Sequence, residues 1–69
     1  MAKKRSNRLT DTDIECIKSY ADANMSAAEA GRKMFLHQNT VKSHLDSVKD
    51  KTGLDPRNFY DLIKLLEMV

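Results

Sequence analysis

Apolar residues along these 69 positions recur at intervals of three and four rather than two, and no alternating run of strand type occurs. Ile14, Ile17, Tyr20 and Ala21 form the first helical stripe. The segment Leu9-Thr10-Asp11-Thr12-Asp13-Ile14 reads as its start. Thr10 is placed to cap, Asp13 can reach back to the cap's amide, and two acids sit at the positive end of the helix dipole. Leu9 and Ile14 flank the cap as a hydrophobic staple. The pattern predicts a first helix over about residues 11 to 23.

Ser26-Ala27-Ala28-Glu29 is a second capping box, and the Asn24-Met25 step before it predicts a tight helix-to-helix corner. The second helix should cover about 27 to 34 and turn Ala27, Ala30, Gly31 and Met34 inward, mostly small residues that let another helix approach closely. Phe35-Leu36-His37-Gln38 then makes a turn, with Phe35 expected in the core beside Tyr20. Val41, Leu45 and Val48 follow at spacings of four and three and define a third helix. Gly53 ends it in the left-handed position, with Leu54 folding back in a Schellman-type contact. Asp55 is expected to cap a fourth helix, with Pro56 at its first position and Leu54 and Phe59 as its staple.

Phe59, Leu62, Ile63 and Leu66 give that helix one stripe, and Tyr60, Leu65, Met68 and Val69 widen it most of the way round. A terminal helix apolar on nearly every side is normally buried on nearly every side. The second side is therefore expected to belong to another protomer, in a homodimer joined through Phe59, Tyr60, Leu62, Leu65, Leu66, Met68 and Val69. Size points the same way, since a domain this small buries only about 60% of the surface its unfolded chain exposes.

Composition narrows the class. Hydrophobic residues at 41% and charged ones at 32% fit a globular chain and exclude a disordered tail. No apolar run approaches the roughly 18 residues of a membrane-spanning helix. No apolar stretch follows the basic N-terminus as it would in a secretory signal, and the single Cys16 cannot form an intrachain disulfide, so a cytoplasmic protein is expected. The net charge of +2 is unevenly placed. Lys3, Lys4, Arg5 and Arg8 give residues 1 to 8 four of the twelve basic side chains and none of the ten acids, which leaves eight against ten, a net −2, for residues 9 to 69. The domain reading is thus a flexible basic arm at 1–8 and a single folded unit at 9–69.

Residues 26 to 48 have the spacing of a helix-turn-helix, in which the second helix packs one face on the first and offers the N-terminal residues of the other to the major groove. Val41 serves as the inward anchor, Leu36 as the apolar turn position, Met34 as the end of the supporting helix, and Gly31 as the small residue against it. The element His37-Gln38-Asn39-Thr40-Val41, with Leu45, Val48 and Thr52-Gly53-Leu54-Asp55 downstream, resembles the C-terminal helix-turn-helix domain of the PucR/CdaR family of bacterial transcription regulators over roughly residues 14 to 66. A shorter stretch, Thr40-Val41-Lys42-Ser43-His44-Leu45, is similar to the recognition helix of LuxR-type regulators.

The resemblance implies an all-α fold: a compact four-helix helix-turn-helix domain, built as a homeodomain-like three-helix core plus a C-terminal helix, with no wing. It implies sequence-specific binding of double-stranded DNA and a role in transcription regulation. Members usually carry Arg after the His and an Arg-Tyr-Arg run after the Val, where this chain has Gln38 and Lys42-Ser43-His44, and Asp46 stands where another base is common. Weaker phosphate affinity through this helix is the consequence. The regulatory domains that precede the motif in full-length members are not among these residues, so effector sensing is not implied. Small lone regulators of this kind are common on phages and mobile elements.

Residue chemistry supports the DNA reading. Gln38 and Asn39 offer the paired donor and acceptor that reads adenine N6 and N7. Lys42 suits guanine or phosphate, Ser43 either, and Thr40, His37 and the helix N-terminal amides a phosphate oxygen. Lys3, Lys4, Arg5 and Arg8 can follow the backbone or enter the minor groove. His44 is expected at the core edge or on a phosphate, and Cys16 as a half-buried packing residue. No metal site is expected from His37 and His44 without a third ligand, no cofactor motif occurs, and no nucleophile, base or phosphate loop supports an enzyme. The rival reading is a protein-interaction module that keeps the scaffold without DNA affinity, favoured by the negative body, Asp46 and the apolar last helix.

Overall fold

The structure, a computed structural model, describes residues 9–69; the basic arm expected at 1–8 lies outside the described residues. Its elements are α1 (Asp11–Asp22), α2 (Ala27–Met34), α3 (Gln38–Thr52) and α4 (Phe59–Met68), with no strand among the described residues. α1 is the central element, packed against all three others, while α4 packs on α1 alone.

Local capping chemistry sets the first helix. The Asp13 amide donates to Thr10 Oγ1 at 3.0 Å and the Thr10 amide donates to Asp13 Oδ2 at 3.1 Å, so the box closes in both directions. The buried face of α1 is Asp13, Cys16, Ile17 and Tyr20, rotated from the expected stripe; Ile14 and Ala21 are only half-buried. Because helices cover α1 from several sides, Cys16 is fully buried rather than half-buried.

The α1–α2 corner runs through two successive left-handed residues, Asn24 and Met25, with the Met25 amide donating to the Tyr20 carbonyl at 2.8 Å. Ser26 then caps α2 by accepting from the Glu29 amide at 3.2 Å. The reciprocal half of that expected box is not made: the Ser26 amide donates to the Ala23 carbonyl, and Glu29 pairs with Arg32 instead.

A Schellman closure ends α2. The Phe35 amide donates to the Arg32 carbonyl at 3.3 Å, the Leu36 amide to the Gly31 carbonyl at 2.8 Å, and Phe35 takes a left-handed φ of 59°. This overturns the expectation of Phe35 in the core. Its ring is 95% exposed, because the left-handed residue turns its side chain outward while Leu36 behind it turns in to the core. Left-handed backbone costs a residue with a Cβ about 1–2 kcal/mol, against which glycine's extra unfolded-state freedom costs about 0.5–1 kcal/mol. Phe35→Gly is therefore expected to leave the urea midpoint unchanged or raise stability by up to about 1 kcal/mol. A clear loss would show that the ring is packed.

Val41, Leu45 and Val48 of α3 are fully buried and meet Ile17, Tyr20, Ala30, Leu62 and Leu65 in one core. Gly53 ends α3 at φ 78°, through a single bond from its amide to the Lys49 carbonyl at 2.8 Å. The Leu54 amide goes to Thr52 Oγ1 at 3.1 Å, so this end is the simple left-handed motif and not the Schellman form expected. Leu54 does pack back against the core.

The start of α4 also departs from expectation. Asp55-Pro56-Arg57-Asn58 is a turn, closed by the Asn58 amide on the Asp55 carbonyl at 2.9 Å, with Pro56 buried at its second position. Asn58 Oδ1 caps the helix by accepting from the amides of Tyr60 and Asp61. The helix therefore begins at Phe59, whose side chain is exposed, and its cap is Asn58 rather than the expected Asp55.

Candidate nucleic-acid interface

α3 spends one face on the core, and its opposite face defines the candidate site. Gln38, Asn39 and Thr40 in the first turn and Lys42 and Ser43 in the second are all exposed. Position is fixed from below. A Cβ on Gly31 would lie 2.5 Å from the Leu36 carbonyl oxygen and 3.3 Å from the Gln38 nitrogen, so α2 touches the backbone at the very start of α3. Arg32 and Lys33, which follow Gly31, are exposed. Arg32 is held by Glu29 at 2.7 Å; Lys33 makes no ion pair among the described residues.

His37 is the cap of α3, its Nδ1 accepting from the Asn39 amide at 3.0 Å. The amides of Thr40 and Val41 both donate to the His37 carbonyl. Of the N-terminal amides expected to suit a phosphate oxygen, those of Asn39 and Thr40 have acceptors within the chain and the Gln38 nitrogen lies against Gly31. The polar groups left exposed at this end are side chains, namely those of Thr40, Lys42 and His37.

Asp46 also changes character. Arg57 Nη2 meets Asp46 Oδ1 at 2.9 Å and the Lys42 carbonyl at 3.4 Å, and the Arg57 amide donates to Asp55 Oδ1. The acid that stands on the exposed face of α3 is thereby offset by a guanidinium from the α3–α4 turn. Both groups are substantially exposed, so the pair adds little stability; its effect is on local charge.

His44 is not on the exposed face. Its Nδ1 donates to Asp13 Oδ1 at 2.8 Å, and Lys51, two turns on along the same flank of α3, donates to Asp13 Oδ2 at 2.6 Å. Asp13 is 1% exposed. Burial works to raise its pKa, but the hydrogen bonds from Lys51, His44 and the Thr10 amide outweigh it and hold the carboxyl at about 2. One carboxylate thus caps α1 and locks α3 against it. Only the cap was foreseen; the other signal was an acid at helical spacing with Cys16, Ile17 and Tyr20 on the inward side.

The side chains expected at a homodimer surface divide. Leu62 and Leu65 belong to this chain's own core and Val69 is half-buried, which removes them from an outward face; Phe59, Tyr60, Leu66 and Met68 are exposed. Lys3, Lys4, Arg5 and Arg8 lie outside the described residues. Among the described residues no three His, Cys, Asp or Glu side chains gather as a metal site, and no helix is long and apolar enough to cross a membrane.

Comparison with known proteins agrees with this geometry. The family profile described as the PucR C-terminal helix-turn-helix domain matches residues 14–66. Uncharacterized proteins of Mycobacterium tuberculosis and Mycobacterium bovis are 40% identical over 45 residues, covering 65% of this chain. The matched segment spans 11% of the length of those relatives. No solved structure matches the chain.

Proposed function

The chain belongs to the family of PucR C-terminal helix-turn-helix domains, and on that ground we propose that it reads double-stranded DNA in a sequence-specific manner, as a homodimer, in the control of transcription. The observation that carries this reading is α3 itself: Val41, Leu45 and Val48 fully buried while Gln38, Asn39, Lys42 and Ser43 stand exposed on its first two turns. Gln38 and Asn39 supply bidentate contacts to adenine, Lys42 and Ser43 reach a base edge or phosphate one turn further in, and Thr40 and His37 meet the backbone. The arm residues Lys3, Lys4, Arg5 and Arg8 add phosphate contacts. Two copies related by a two-fold axis would present their α3 helices about 34 Å apart, one duplex turn.

Selection of bound duplexes from a random pool tests binding and returns the site and its symmetry together. Gln38→Ala or Asn39→Ala is expected to lose about 1–3 kcal/mol of base discrimination, with an unchanged thermal melt. Deleting residues 1–8 is expected to weaken binding to all sequences alike and to flatten the salt dependence by about 0.9 in log–log slope for each phosphate that the arm neutralises.

The second reading is a protein-interaction module on the same scaffold. It is favoured by the net −2 on residues 9–69 and by the exposed apolar side chains of α4. Undetectable binding to random duplex at about 50 mM salt would decide for it, because the counterion-release contribution is large at low salt.

A further inference from the structure

α4 carries two apolar stripes and the fold uses one. Leu62 and Leu65 are buried against the rest of the chain. Phe59, Ile63 and Leu66, at spacings of four and three, form a second stripe that is 58%, 39% and 37% exposed, flanked by Tyr60 at 73% and by exposed Glu67. Among the described residues this stripe keeps an outward surface that the core leaves open. Met68, exposed as it is, lies with Lys64 on another side of the helix, by the 3.6-residue repeat.

The pattern is self-complementary. A two-fold contact requires that if residue i meets j, then j meets i. Phe59 lies four positions before Ile63 and Leu66 three after; Tyr60 lies three before and Glu67 four after. An antiparallel crossing centred on Ile63 therefore brings each member of both pairs to the other. A parallel crossing would set Glu67 against its own like charge and align the two helix dipoles.

We propose that α4 pairs antiparallel with α4 of a second copy, with Ile63 on the two-fold axis, Phe59 against the partner's Leu66, and the Tyr60 hydroxyl donating to the partner's Glu67. This rests on the homodimer half of the reading above and gives it a face and a register: Leu62, Leu65, Val69 and Met68 drop out, and Ile63 enters at the centre. The stripe with its flanking Tyr60 and Glu67 offers about 500 Å² per copy, which places the pair near the lower limit for a specific interface, so a weak dimer that a two-site duplex reinforces is expected.

Ile63→Cys in the full chain tests the register without DNA. Mild oxidation is expected to give a disulfide-linked dimer, while Met68→Cys, on the other side of α4, gives none. Cys16 does not compete, being fully buried with its thiol pushed up to about 11 by that burial. In sedimentation, Ile63→Glu is expected to be monomeric where the parent chain dimerises, with its melt retained because Ile63 is outside the core. Tyr60→Phe removes this bond twice per dimer and should weaken the dimer by between about five- and 150-fold. A parent chain that stays monomeric at high micromolar concentration overturns the pairing, as does cross-linking of Met68→Cys as readily as Ile63→Cys. A cross-linked dimer that ignores DNA leaves the register standing and removes only the DNA reading; a monomer that binds duplex does the reverse.

Discussion

Gly31→Ala is expected to destabilise the domain by about 1–2 kcal/mol and Gly31→Val by about 3 kcal/mol or more, although α2 is a helix and alanine is the better helix former. Propensity alone would favour alanine by about 1 kcal/mol. Against it stands a contact of 2.5 Å between the new Cβ and the Leu36 carbonyl oxygen, well inside any real approach of such atoms. That oxygen cannot swing aside as a side-chain tip can. It is backbone, one residue before the His37 cap of α3, and the Leu36 amide is itself bonded to the Gly31 carbonyl. Relief requires α3 to move away from α2, and that opens the packing of Val41 on Ala30.

The same displacement shifts Gln38 and Asn39, so Gly31→Ala should also lose DNA affinity beyond its loss of stability. Urea denaturation of the variant, followed by duplex binding under conditions where it is fully folded, separates the two effects. A more stable Gly31→Ala would show that the 35–37 turn is free to relax, and would take away the reason for glycine at this position.

What could be read from the sequence follows the range of the interactions concerned. Thr10 and Asp13, Ser26 and Glu29, and Gly53 act within three or four residues of themselves, and α1 and α2 begin, and α3 ends, where those residues indicate. Asp55-Pro56 misled because the same dipeptide suits both a helix start and the first two positions of a turn; Asn58 prevails by accepting from two amides, while Asp55 is taken up by the Arg57 amide. Phe35 misled for another reason. Hydrophobicity says inside, but closure of α2 demands a left-handed residue there, and Leu36 takes the inward place.

For the site, exposure of Gln38, Asn39, Lys42 and Ser43 was legible from the burial of Val41, Leu45 and Val48. The tie of Asp46 to Arg57 was not, since it depends on where the 55–58 turn returns the chain to α3. Nor was the bond of Asp13 to His44 and Lys51, which are 31 and 38 residues away from it.

That long-range triad gives the other large effect. Asp13→Ala is expected to cost about 3 kcal/mol, the lower end of the range for removing one partner of a buried ion pair, since His44 and Lys51 are 29% and 21% exposed and can turn partly to water. The loss has three parts: the Thr10 amide gives up its cap, His44 its acceptor, and Lys51 its counter-ion. For a chain of this size total stability is on the order of 3–10 kcal/mol, so the variant would sit near its unfolding threshold at room temperature. Asp13 and Lys51 should couple strongly in a double-mutant cycle, whereas Glu29 and Arg32, equally close but exposed, should not.

Acid should reproduce part of the effect. With the folded pKa at about 2 against an ordinary 3.8, the unfolded chain takes up the proton first. The carboxylate's contribution is therefore complete above about pH 4 and disappears as the pH falls through 2, amounting to about 2 kcal/mol. Urea midpoints of the parent chain should fall steeply through that window and those of Asp13→Asn much less. Parallel curves for the two proteins would mean that Asp13 is not the group whose protonation loosens α1 from α3.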